Sequence, residues 1–185
     1  MDDMPRFKCL LVGSGGVGKT SFVRRHIAGE FNRRYVPTMG MNIHPMQLET
    51  TRGSVLLDVC DTAGQERFGV LRDGYYKDAD MAIIMFDVTS RITYKDVPRW
   101  YNDITRVCGP DIPIVLVGNK VDVQHRTVKT KQVNYHTKKG ISYVEISAKT
   151  NLNFDVPFVT LLRRLLGDDD LALVVAPELR LEEEV

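Results

Sequence analysis

The chain has 185 residues, 43% of them hydrophobic and 26% charged, which suits one globular domain with a sizeable core. A net charge of +1 gives no electrostatic reason to expect nucleic acid or an anionic membrane as partner. Three scattered cysteines, Cys9, Cys60 and Cys108, lack metal spacing and read as reduced thiols. The start, Met1-Asp2-Asp3-Met4-Pro5, has no signal-peptide pattern, and no apolar run is long enough to span a bilayer. Asp2 stands where myristoylation requires glycine, and the ending Leu181-Glu182-Glu183-Glu184-Val185 has no prenylation cysteine, so no membrane anchor is expected.

Strand-like and helix-like segments alternate. Phe7 to Val12 reads as a strand, Lys19 to Ala28 as a helix, and the polar stretch Gly29 to Met41 as a loop. Asn42 to Glu49 and Val55 to Cys60 read as strands joined by the turn Thr50-Thr51-Arg52-Gly53. Asp61 to Gly74 reads as a loop with a weak helical end, and Met81 to Phe86 as a buried strand. Thr89 to Cys108 reads as helical, with Pro98 opening its main part. Ile114 to Val117 and Ser142 to Ile146 read as strands, flanking a short polar helix over Lys131 to Lys139. The last helix carries an apolar stripe of Phe154, Phe158, Leu161, Leu162, Leu165 and Leu166; after Gly167 the pattern dissolves. Short buried strands alternating with helices indicate an α/β fold: a six-stranded, mostly parallel sheet with helices on both faces. Ligands of such sheets sit at the carboxyl ends of the strands.

Gly13-Ser14-Gly15-Gly16-Val17-Gly18-Lys19-Thr20 leaves the first strand at such an end and opens the first helix. It fits G-x-x-x-x-G-K-[ST], the P-loop of nucleoside triphosphatases, and strand–loop–helix is the context that motif needs. Its glycines let the backbone turn N–H groups inward around a polyphosphate. Lys19 would add a point charge at the β- and γ-phosphates, and the Thr20 hydroxyl a ligand for Mg²⁺; Ser21 follows directly and completes the phosphate-binding set.

Asn119-Lys120-Val121-Asp122 follows the Ile114–Val117 strand. Guanine presents N1–H and N2–H₂ side by side and adenine does not, so a carboxylate here, Asp122, reads guanine. Asn119 can donate to the purine N7 and tie the loops together, and the stem of Lys120 can lie over the base plane. Ser147-Ala148-Lys149 ends the next strand, where the Ala148 N–H could bond guanine O6. Asp61, in Asp61-Thr62-Ala63-Gly64-Gln65, would hold Mg²⁺ through a water, and Gly64 can bring its N–H to the γ-phosphate. Gln65 is too weak a base to abstract a proton but can orient a water in line with the phosphorus. Thr38, in the loop after the first helix, is a second Mg²⁺ hydroxyl candidate.

These motifs resemble those of the small GTPases of the Ras superfamily over nearly the whole chain. Within the superfamily the chain resembles the Ran family of nuclear-transport GTPases. That likeness rests on Phe22-Val23-Arg24-Arg25-His26, Leu71 to Tyr76, Ala82 to Arg91, Tyr94 to Trp100 and Asn151 to Phe158. Pro37 and Cys60 depart from that family's usual alanine and tryptophan. The resemblance implies that Phe31 stacks on guanine, that Tyr35 covers the phosphates, and that the segments around Thr38 and Gln65 are switches held by the γ-phosphate. It implies a G domain over residues 1–167 and a C-terminal extension from 168 to 185, truncated relative to the family. It also implies residence in nucleus and cytoplasm. The implied partners are importin- and exportin-type receptors, a chromatin-bound exchange factor, a GTPase-activating protein and Ran-binding domain proteins. Two alternatives stay open: a Rab-like vesicle GTPase, and a binding scaffold without hydrolysis. The stretch His125, Arg126, Lys129, Lys131, His136, Lys138 and Lys139 is basic without an acid; it reads as a solvated face or as a dock for an acidic protein partner.

Overall fold

The computed structural model describes residues 4–28, 41–62 and 69–174. Six strands form one sheet: β1 (Arg6–Val12), β2 (Met41–Thr50), β3 (Gly53–Thr62), β4 (Met81–Asp87), β5 (Ile114–Asn119) and β6 (Ser142–Glu145). Their order across the sheet is β2-β3-β1-β4-β5-β6. Only the β2–β3 hairpin is antiparallel; β1 with β3, β1 with β4, β4 with β5 and β5 with β6 are parallel. The six-stranded, mostly parallel α/β sheet expected from the sequence is the one found.

The pleat sorts each central strand onto two cores. Cys9 and Leu11 of β1, with Met81, Ile83 and Met85 of β4, face helices α1 (Lys19–Ala28) and α6 (Val156–Leu166), meeting Phe22, Val23, Phe158, Leu161 and Leu162. Leu10 and Val12, with Ala82, Ile84 and Phe86, face the opposite side. There they meet Tyr76 of α2 (Gly69–Tyr76) and Trp100 and Ile104 of α4 (Val97–Cys108). Every residue of β4 and β5 is buried, as strands covered on both faces require.

The elements extend or divide the segments read from sequence. The weak helical end after Asp61 is helix α2, running to Tyr76. The single helix read over Thr89 to Cys108 is two: α3 (Arg91–Lys95) and α4, which meet at Asp96. Pro98 sits in the first turn of α4, where a missing N–H costs no bond. The helix read over Lys131 to Lys139 is a 3₁₀ turn (Thr130–Gln132) followed by α5 (Tyr135–Lys139), which stops at Gly140 with φ 65°. Helix α6 starts two residues after Phe154, which packs against the core outside it.

The largest difference follows Gly167. Instead of dissolving, residues 168–174 turn back onto the β2–β3 hairpin. Thr51 N donates to Ala172 O at 2.9 Å, Val174 N donates to Glu49 O at 2.8 Å, and Leu173 bridges to Thr50. Arg52 forks onto Asp168, its Nε at 2.6 Å, and Arg163 Nε caps the Leu171 carbonyl at 2.7 Å. Leu171 is fully buried in the α1/α6 core, worth about 2 kcal/mol as an apolar side chain removed from water. Among the described residues no helix is long and apolar enough to cross a membrane.

Candidate functional site

The carboxyl ends of β1, β3, β4 and β5 meet at one edge of the sheet, and the P-loop, Asp61, Asp87 and Asn119 lie at those ends. At Gly13 (φ 148°) a Cβ would run into the carbonyl of Met85 in β4; at Gly18 (φ 101°) it would run into the Asn119 amide. These glycines are therefore imposed by contact as well as by backbone angle. Phe22 N donates to Gly18 O at 2.9 Å as α1 leaves the loop, so the positive end of the helix dipole lies at the P-loop.

Lys19 is almost fully buried, and its ammonium donates to the carbonyls of Gly13 at 2.8 Å and Ser14 at 3.1 Å. Burial pushes its pKa down to about 8, against the opposing pull of Asp61. A polyphosphate in the loop would push that pKa back up, because a nearby anion favours the ammonium form. Ser14 Oγ donates to Asp96 Oδ2 at 2.7 Å, fastening the loop to the α3–α4 junction. Ser21 lies half-buried one residue past Thr20.

Thr20 Oγ1 donates to Asp61 Oδ2 at 2.5 Å. Asp61 is fully buried, its Oδ1 has no hydrogen-bond partner among the described residues, and burial raises its pKa above the usual carboxylate range. A hydroxyl beside a buried carboxylate with an unsatisfied oxygen is a hard-oxygen donor set, and it fits Mg²⁺. Such an ion would supply positive charge between phosphate oxygens. Phe31, Tyr35, Thr38, Gly64 and Gln65 lie outside the described residues.

The second half of the site is a knot around Asn119, which is nearly fully buried. Its Nδ2 donates to Val17 O at 2.9 Å; its Oδ1 accepts from Lys120 N at 2.7 Å and Ala148 N at 3.2 Å. One amide thus joins the P-loop to both loops assigned to the base. The Ala148 N–H, expected to meet guanine O6, is here shared with Asn119. Ser147, fully buried, donates its hydroxyl to Asp122 Oδ1 at 2.7 Å and accepts from Thr150 N, so it aims the carboxylate. Asp122 itself is exposed, as is Lys149. Lys120 has φ 69°, a left-handed backbone costing about 1–2 kcal/mol for a non-glycine residue. Its ammonium reaches Gly16 O at 2.7 Å and Asp87 Oδ2 at 2.8 Å.

Asp87 and Asp96 are the contributors that sequence reading missed. The available signal for Asp87 was a carboxylate closing an apolar strand at the ligand end of a parallel sheet. Asp96 gave no such signal.

The basic stretch is only partly free. Arg126 forks onto Glu145 of β6 at 2.7 and 3.0 Å, and this pairing holds the Glu145 carboxyl down at about 2. The acid missing from the stretch comes from a strand 19 residues later, so Arg126 leaves the set of solvated charges. The Lys139 ammonium lies over the rings of Tyr101 and Tyr135, 5.2 and 5.8 Å from their centroids. His125, Lys129, Lys131 and Lys138 remain exposed.

A family model described as the Ras family matches residues 8–167. The chain belongs to the Ras family of small GTPases, nucleotide switches that bind GTP and GDP with Mg²⁺ and hydrolyse GTP. Its domain is a Ras-type G domain.

Proposed function

We propose that this GTPase is a switch of nucleocytoplasmic transport, cycling between nucleus and cytoplasm and binding importin- and exportin-type receptors in its GTP form. What supports the nucleotide side is the Ser147–Asp122 hydrogen bond, which orients the Asp122 carboxylate on a loop that the Asn119 amide ties to the P-loop at Val17. Asp122 takes the N1–H and N2–H₂ of guanine, and Lys120 lies along the ring. The P-loop from Gly13 to Thr20 holds the phosphates, and Thr20, Thr38 and Asp61 hold Mg²⁺. Gln65 orients the attacking water, with Gly64 on the γ-phosphate.

No residue assigned here is a strong base, so turnover alone is slow. An activating protein that completes the charge stabilisation is worth roughly 10³–10⁵ in rate in enzymes of this kind. A chromatin-bound exchange factor reloads the site, and Ran-binding domain proteins engage the GTP form. What supports the transport reading is the likeness to the Ran family. Two of the stretches that carry it, Ala82 to Arg91 and Tyr94 to Trp100, span β4 and the α3–α4 face. The exposed lysines 129, 131 and 138 suit an acidic receptor loop.

The test is capture from a nuclear extract by protein loaded with GDP or with a non-hydrolysable GTP analogue. Retention of an importin-type receptor only in the GTP-analogue arm is expected. Equal retention in both arms, or retention of vesicle-tethering proteins instead, would overturn the transport reading.

A further inference from the structure

Asp87 closes β4 with its side chain 9% exposed. Its two oxygens do different things. Oδ1 accepts from both the N–H and the hydroxyl of Thr89, at 2.8 and 2.6 Å, which forms the turn leaving the strand. Oδ2 accepts from the Lys120 ammonium at 2.8 Å. An asparagine could serve the turn as well as an aspartate, because an amide oxygen accepts the same pair of bonds. Among the described residues, only the contact to Lys120 makes use of the second oxygen and the negative charge.

Lys120 is otherwise held by its chain neighbours and by one P-loop carbonyl. Its backbone is left-handed, its N–H goes to Asn119 Oδ1, and its ammonium bonds Gly16 O. The side chain is 37% exposed, so without a counter-charge water competes for the ammonium and the four-carbon stem regains its rotamers. Asp87 is the only acidic partner of that ammonium among the described residues. The strands bring the two residues together directly, since Asp87 and Asn119 are paired across β4 and β5 and Val88 N donates to Asn119 O at 3.1 Å.

We propose that Asp87 is a positioning residue for the base: by ion-pairing Lys120 it holds the lysine stem across the space between the β5 loop and the P-loop, and so sets how long guanine nucleotide stays bound. This rests on the reading of Asn119 to Asp122 as the guanine site. The charge at Asp87 acts on the nucleotide only through Lys120.

The experiment is a mutant cycle on the full chain with fluorescent N-methylanthraniloyl-GDP, chased with excess GDP in the presence of Mg²⁺. Asp87→Asn keeps the Oδ1 turn, so a melting temperature close to the parent's is expected. Its nucleotide release should be about tenfold faster, the scale of one charge-assisted hydrogen bond. Lys120→Met should also release faster, and Asp87→Asn with Lys120→Met should match Lys120→Met alone. Release from Asp87→Asn at the parent rate would overturn the proposal. So would a double variant whose acceleration is the product of the two single effects, because Asp87 would then act independently of Lys120. A chase of the parent protein with ADP tests the underlying reading separately: ADP should not compete, and if it competes as well as GDP, the guanine assignment fails whatever the cycle shows.

Discussion

Replacing Asp122 by asparagine is the sharpest test of base recognition. The Asp122 carboxylate is aimed by the buried Ser147 hydroxyl on Oδ1, at 2.7 Å. An asparagine oxygen can accept that same bond, so the loop should keep its shape. What then faces the base is an NH₂ group in place of an anionic oxygen, and two donors of guanine meet a donor. Hydrogen bonds to a charged partner are worth about 1.5–3 kcal/mol each, so losing the pair should cost about 3–6 kcal/mol. That is roughly 10²–10⁴-fold in GDP affinity. Xanthine carries a carbonyl where guanine has its amine, and it accepts from the same NH₂. The asparagine variant should therefore prefer xanthosine diphosphate over GDP. Competition of both nucleotides against fluorescent GDP, on parent and variant, measures the inversion. A variant that binds GDP within threefold of the parent and gains nothing for xanthosine diphosphate would show that Asp122 does not read the base.

Gly18→Ala forces a left-handed alanine whose methyl meets the Asn119 amide, so it should cost upwards of 2 kcal/mol and empty the site of nucleotide; thermal melting and retained-nucleotide analysis report both. Gln65→Leu should lower GTP hydrolysis with an activating protein roughly 10³-fold and leave GDP affinity within a few-fold, as phosphate release and equilibrium binding would show. His26, 3% exposed among Phe22, Phe154 and Phe158, has its pKa pushed by burial from 6.5 down to about 4, with its bond to the Phe154 carbonyl opposing. The unfolded chain therefore binds the proton first, and stability falls as pH drops from 6.5 towards 4, by about 3 kcal/mol in all. Urea unfolding across that range should flatten in His26→Phe by this contribution; an unchanged slope would mean that Asp155, 3.5 Å from Nδ1, compensates the charge.

What was legible in the sequence was whatever repeats locally. Leu10, Leu11 and Val12 run straight into a glycine loop, and that adjacency alone placed β1, the P-loop and α1. The apolar runs of β4 and β5 could be read because strands covered on both faces need no polar alternation. What was not legible were partnerships between distant residues. Arg126 looks like one of seven free basic groups until β6 brings Glu145 to it. Leu171 follows Asp168, Asp169 and Asp170, at the head of an apolar run that shows no helix or strand period. Its burial depends on the β2–β3 turn, which offers Thr51 and Arg52 to the passing backbone.

The same contrast runs through the site. A motif identifies residues that would touch a ligand, because those must recur at fixed spacing around a fixed shape. Residues that aim them are free to come from anywhere the fold allows. Asp87 holds Lys120 from another strand, and Asp96 holds Ser14 from a helix junction. Both supports are side-chain bonds across elements far apart in sequence. Each can be altered without moving the motif it serves, so nucleotide residence time can vary while the motif residues stay constant.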